Sequence, residues 1–376
     1  MADDLNQPLL GANKRRGALT PGGIALTVLA VIMASIAVWM ILASDPAAVP
    51  DAEIAEVAEV NTPGEVVILT PEANVPGVVI TNPAGVPIGD NGPEIVTLIG
   101  EPLTLSPAPL SDLIEPGPYG LLPKTAADGW RPFDAYARPA DAFGAVRIAI
   151  VVGGIGINAA GSELAIARLP GEVSLALAPY GADLSGWAAR GRETGHELLL
   201  QLPLEPIDFP NSDPGPHTLL TDGSPADNID RLHWLLAQFT TYAGVVTYAG
   251  GRFLSDREAM APMLDELAAR GLMLLDDGSV RQSSSGEAAA GILPFARADM
   301  VLDVDISAEA VAAKLAELEA IARQRGYAIA SASAFPVTIQ QIAIWAEAAV
   351  RDGIELVPVT SLANDPVMDA VRIQIE

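Results

Sequence analysis

RIAIVVGGIG, residues 147–156, is the stretch on which the reading of this chain turns. Its apolar and β-branched run suits a strand buried on both faces, and the glycines behind it suit a tight exit into a loop. The same succession of short apolar run, loop and amphipathic stretch recurs at Val173–Ala178, Glu197–Leu202, Val245–Tyr248, Leu272–Leu275, Met300–Asp303, Tyr327–Ser331 and Ile354–Pro358. Strands alternating with helical stretches imply βαβ units and a largely parallel sheet. Eight repeats of this kind fit a (β/α) barrel better than an open sheet. The punctuation agrees: Gly195, Gly326 and Gly353 each stand just before a strand, where a helix ends in a left-handed residue. Ser255–Glu258 reads as a capping box opening a helix that stops at Gly271, and residues 225–239 read as another helix.

Upstream of this domain the character changes twice. Residues 44–123 hold twelve acidic residues, no basic ones and fourteen prolines, a composition that packs poorly and reads as an acidic spacer. Before it, IALTVLAVIMASIAVWMILA at residues 24–43 is twenty apolar or small residues without a charge, enough to cross roughly 30 Å of hydrocarbon. Lys14, Arg15 and Arg16 precede this run and Asp45, Asp51 and Glu53 follow it, so the positive-inside bias keeps the N-terminus cytoplasmic. A cleaved signal peptide fits less well, because the run exceeds the roughly 7–15 residues of an h-region and no clear A-x-A site follows. The expected organisation is a cytoplasmic tail (1–23), a transmembrane anchor (24–43), an acidic Pro-rich linker (44–124) and one α/β domain (125–376). The expected location is the inner membrane, with the domain periplasmic or otherwise extracytoplasmic.

The formal charge of −26 repels phosphate backbones, so no nucleic-acid partner is expected. With no cysteine in the chain, disulfides, thiolate metal sites and a Cys nucleophile are ruled out. Chemistry in such folds gathers at the C-terminal ends of the strands. Those positions hold Gly153, Gly154 and Gly156 after the first strand, Gln201 to Pro206 after the third, and Tyr248 to Phe253 after the fourth. Asp276 and Asp277 end the fifth, and Ser331 to Phe335 the seventh.

Read in order, RIAIVVGGIG, LPGEVSLALAPYG, GHELLLQLPLEP, GRFLSDREAM, GLMLLDD and FPVTI with the closing ELVPVTSL resemble the divergent polysaccharide deacetylases, distant relatives of the NodB-type metal-dependent enzymes. The resemblance spans residues 147 to about 362 and implies a distorted (β/α) barrel. In active members it implies a divalent metal held by one Asp and two His beside a second, basic Asp. This sequence departs from that pattern at each post. Gly153 and Gly154 stand where an Asp-Asp pair is implied, and Gln201, Tyr248 and Ser333 where histidines are. Carboxamide, phenol and hydroxyl groups hold a catalytic metal poorly, so no metal and no cofactor are expected.

His196 precedes a strand at its N-terminal end, His233 lies on a helix and His217 in a Pro-rich loop, so structural roles are expected for all three. Asp276 and Asp277 are the carboxylates to weigh: either binds sugar hydroxyls or acts as a base, or the pair only shapes a turn with Gly278. Glu205 and Arg252 suit a structural ion pair better than a substrate contact, and of Asp303 and Asp305 one is expected to face solvent. Gly153, Gly154 and Gly156 lack the spacing and lysine of a phosphate loop, and Trp187, Trp234 and Trp345 read as outer-layer core. The ligand-binding candidates are therefore Gln201, Glu205, Tyr248, Arg252, Asp276 and Asp277.

The resulting expectation is an envelope-facing, membrane-anchored protein of carbohydrate metabolism that binds a glycan or peptide without hydrolysing it. An alternative is a hydrolase of altered mechanism, which requires two of Asp276, Asp277 and Glu205 to face one cavity about 5–9 Å apart. A third is a scaffold in an envelope assembly, with the acidic linker or an exposed face engaging a partner.

Overall fold

A computed structural model of the protein describes residues 103, 105, 106, 109–140 and 144–367. The chain divides into two units, residues 1–95 and 96–376, and every described residue belongs to the second. The candidate anchor at 24–43 and most of the expected linker lie outside the described residues. Among the described residues no helix is long and apolar enough to cross a membrane.

The expected linker gives way to structure before residue 125. Strands β1 (Ile114–Pro116) and β2 (Leu121–Pro123) form an antiparallel ribbon, with Leu113 and Leu122 buried and Leu122 part of the main core. Prolines at 116 and 123 end these strands instead of preventing them, because a two-stranded ribbon has free edges that need no N–H donor. The short helix α1 (Pro132–Tyr136) follows.

The barrel elements then alternate along the chain: β3 (Arg147–Ile155), α2 (Ala159–Arg168), β4 (Ser174–Leu177), α3 (Leu184–Glu193), β5 (Leu198–Leu204), α4 (Pro225–Leu236) and β6 (Gly244–Ala249). They continue as α5 (Arg257–Ala269), β7 (Met273–Asp276), α6 (Ser285–Ala289), β8 (Phe295–Arg297), β9 (Met300–Val301), α7 (Ala308–Arg325), β10 (Tyr327–Ser333), α8 (Pro336–Arg351) and β11 (Glu355–Leu356). All pairings within this sheet are parallel, in the order β8-β7-β6-β5-β4-β3-β10-β9. The last expected strand, Ile354–Pro358, stands off this path: β11 pairs only with the start of β3, in the space below β4.

The two ends of that order are one piece of chain. Phe295, Ala296 and Arg297 pair with β7, and the Ala298 N–H donates to the Asp276 carbonyl. Immediately afterwards the Asp299 N–H donates to the Ile329 carbonyl, and Met300 and Val301 pair with β10. The sheet therefore curls until both of its edges bond to residues 295–301, and no long edge is left unpaired there.

Period-two alternation divides the core accordingly. Ile148, Ile150, Val152, Leu198, Leu200 and Leu202 face the outer helices, whereas Ala149, Val151, Leu199, Val246, Met273, Leu275 and Ile329 fill the barrel interior. The helix termini show local causes. Asn158, Ser224 and Ser307 each accept a backbone N–H at a helix start, and Gly326 closes α7 in the left-handed conformation. The expected capping box is displaced by one residue: Asp256, not Ser255, is the N-cap of α5 and accepts from the N–H groups of Glu258 and Ala259. Ser255 instead donates to the Gly251 carbonyl.

Both ends of the described body sit at the N-terminal ends of the strands. The Leu105 N–H donates to the Arg192 carbonyl and Arg192 Nε to the Ser106 carbonyl, just ahead of β5. At the other terminus Asn364 exchanges backbone hydrogen bonds with Phe295 at the start of β8, and Asp365 pairs with Arg131.

Candidate functional site at the barrel mouth

The C-terminal ends of the strands open into two chambers that share walls. The inner one, about 280 Å³, has Val151, Ala176 and Val246 below and Gly153, Gln201, Tyr248, Asp277, Ser331 and Ser333 around it. The outer one, about 730 Å³, shares Gly153, Gln201, Tyr248 and Ser333 and spreads between Ile157, Leu164, Tyr180, Pro214 and Phe335. All five positions at which the sequence departs from the metal-binding pattern, Gly153, Gly154, Gln201, Tyr248 and Ser333, thus line one cavity system.

Register explains this convergence. Strand β10 pairs with β3 from Tyr327 against Arg147 to Ser333 against Gly153, and β5 with β6 so that Pro203 lies against Tyr248. Between Val152 and Ile155 the β3–β4 register slips, which is a bulge at Gly153 and Gly154. Gly154 adopts a φ of 82°, a left-handed value that favours glycine, and its N–H leaves the ladder. That N–H donates to Gln201 Oε1 at 2.8 Å, which also sets the carboxamide's orientation, since only its oxygen can accept. Gln201 Nε2 then lies beside Gly153: a Cβ built there would stand 2.6 Å from it. The carboxamide occupies the volume that a side chain at 153 would need.

The mouth therefore does not fit a catalytic metal. Neither glycine offers a ligand, and the Gln201 oxygen is committed to Gly154. No group of three His, Asp or Glu side chains converges among the described residues. His196 is buried at the far end of the barrel with Nδ1 2.8 Å from the Val173 carbonyl, and burial lowers its pKa. His233 pairs with Glu266 at 2.6 Å on the outer surface. His217 stacks on Trp234 with ring centroids 3.7 Å apart, beside Tyr180, whose hydroxyl accepts the His217 N–H.

The carboxylates separate cleanly. Asp276 faces away from the interior, fully buried, where it accepts from the Gly278 N–H and the Ser285 hydroxyl. Asp277, one residue on, points to the opposite side and lines the inner chamber. Its Oδ1 accepts from both the backbone and the hydroxyl of Ser279, and its N–H donates to Thr247. Burial pushes its carboxyl above the ordinary 3.8, the Ser279 hydrogen bonds oppose this, and the charge of Asp276 adds to it. Glu205 is buried in the loop after β5, bonded to Arg252 at 2.8 Å and to the Thr221 N–H, while Arg252 also pairs with Asp222. Glu205 and Arg252 thus form a structural ion pair between neighbouring loops and line neither chamber. Asp303 is also buried, accepting from the Ser333 N–H and the Thr338 hydroxyl, while Asp305 is exposed and accepts from the Ser307 N–H. Of Asp276, Asp277 and Glu205 only Asp277 reaches the mouth, so the two-carboxylate requirement of a glycosidase-like site is not met by these residues.

Tyr180, Ile157, Asn158 and Phe335 belong to the outer chamber and were not among the sequence-level candidates. Their signal was position alone, since each stands just past a strand end.

A model of the family described as divergent polysaccharide deacetylase matches residues 150–363. The uncharacterized protein YibQ of Escherichia coli (strain K12) is 24% identical over 225 residues, 59% of this chain and 69% of that protein. The crystal structure of the uncharacterized protein ATU2773 from Agrobacterium tumefaciens C58 is similar with 46% sequence identity and a TM-score of 0.63, across 65% of this chain and 99% of that one.

Proposed function

The chain belongs to the divergent polysaccharide deacetylase family, and from that premise we propose that it keeps the family's barrel as a binding protein for a glycan or peptide and does not deacetylate. The observation that carries the reading is the Gln201 carboxamide, which bonds to Gly154 and fills the space beside Gly153. A water made nucleophilic by a metal requires ligands that this arrangement does not supply. What remains is a shaped cavity with a largely apolar wall and a few polar groups, the usual composition of a ligand site.

Adding zinc, cobalt or manganese to the full-length protein should leave acetyl release from chitin or peptidoglycan fragments at the uncatalysed rate. Metal-dependent turnover would defeat the proposal.

The same proposal tethers the domain outside the cytoplasm through residues 24–43, with Lys14 to Arg16 on the inner side. Its partners are then the membrane and a glycan or envelope protein. Retention of the full-length protein in membranes after alkaline extraction, with loss of its domain to protease added from the outer side of that membrane, is the expected outcome.

A further inference from the structure

We infer that the mouth takes an apolar primary amine, with the ligand's body in the outer chamber and its ammonium head at Asp277. This rests on the mouth being a binding site and adds the chemistry of what it binds.

The body follows from the walls. Ile157, Leu164, Pro179, Pro214 and Phe335 offer apolar surface, and Ile157 and Phe335 remain 61% and 42% exposed. Tyr248, between the two chambers, is 50% exposed. Sugar hydroxyls laid on such a wall would give up water without gaining partners, whereas apolar side chains or an alkyl chain gain by burial. A volume of about 730 Å³ holds a body of several residues or a long alkyl chain.

The head follows from charge. Among the described residues no Lys, Arg or His lines either chamber, and Asp277 is the carboxylate that does. Among the described residues no cationic group lies within ion-pair distance of Asp277. Arg297, on the neighbouring strand β8, approaches the outward-facing Asp276 at 3.7 Å instead. A half-buried carboxylate without a counter-ion, in a chain of charge −26, selects a cation and disfavours an anion. The Ser333 hydroxyl and the Tyr248 phenol, on the wall shared by the chambers, add acceptors for the remaining ammonium protons.

The test is calorimetric titration of the full-length protein near neutral pH with trileucine amide, its N-acetylated form, dodecylamine and chitotriose. The free amine should bind about tenfold or more tightly than the acetylated peptide, the difference expected for a desolvated charge-assisted contact. Asp277→Asn should close that gap without weakening the acetylated form, and Tyr248→Ala should weaken both. Dodecylamine binding as well as the peptide supports the inference with head and body sufficient. Peptide binding alone supports it with a peptide as the source. Equal affinity for the free and acetylated peptides overturns it. Binding of chitotriose without binding of either amine overturns it too, while leaving the mouth a glycan site. If none of the four binds, the inference and the proposed binding function fall together. Should Asp277→Asn not fold, the comparison of free and acetylated peptide on the unaltered protein still decides.

Discussion

Gly153 and Gln201 share one volume, and that mutual fit can be tested by filling it from the glycine side. In Gly153→Ala the new Cβ meets Gln201 Nε2 at 2.6 Å, so the carboxamide must swing away and leave the Gly154 N–H without its acceptor. The expected cost is about 1–3 kcal/mol in chemical denaturation, the range for losing a partner to a buried donor. Combined with Gln201→Ala the two costs should add to less than their sum, because the second change removes the clash. Asp277 gives a pH-dependent prediction of definite sign. Its pKa is higher folded than unfolded, so the folded state binds the extra proton and stability falls as pH rises from 3.8 through the raised value. Asp277→Asn removes that loss, and thermal melts should show its stability relative to the unaltered protein rising over that pH range and level beyond it. Gly153, Gln201, Tyr248 and Ser333 could be found from sequence because they end recognisable strands. Which of Asp276 and Asp277 faces inward could not, since a one-residue uncertainty in the strand exchanges the two faces.

Among the elements, the long ones were readable and the short ones were not. A strand of the length of β3 or β5 shows its apolar run plainly. The three residues of β8, Phe295 to Arg297, carry no such pattern, yet they and β9 join the two edges of the sheet. Their pairing is dictated by what lies on either side, information that no local window contains. The start of α5 erred for a related reason: Ser255 and Asp256 are both good caps, and the short 3₁₀ turn from Phe253 to Ser255 occupies the first. Asp256→Ala should therefore cost about 1 kcal/mol in thermal or urea unfolding, and Ser255→Ala less than half of that.

At the scale of the whole molecule, the domain begins earlier than composition suggested. Proline and acid counts averaged over residues 44–123 conceal Leu105, Leu113 and Leu122, which are buried against the barrel. A chain begun at residue 125 uncovers the surfaces these leucines cover, at about 1.5–3 kcal/mol for each one fully buried. Against a typical total of about 5–15 kcal/mol that is a large share. Urea unfolding should place the shorter chain's midpoint well below that of a chain begun at residue 103. The barrel-type sheet and the family could both be anticipated from sequence, because each rests on strand ends in order along the chain. The closing of the sheet could not, because it depends on a seam between distant residues.

With Ser106 held just ahead of β5 and Asn364 at the start of β8, both ends of the described body lie on the side opposite the mouth. A fusion partner or surface attachment joined at residue 103 or at residue 367 would leave ligand access unobstructed, so a chain of residues 103–367 immobilised by one terminus on a sensor chip and by the other on a second should give the same binding constant.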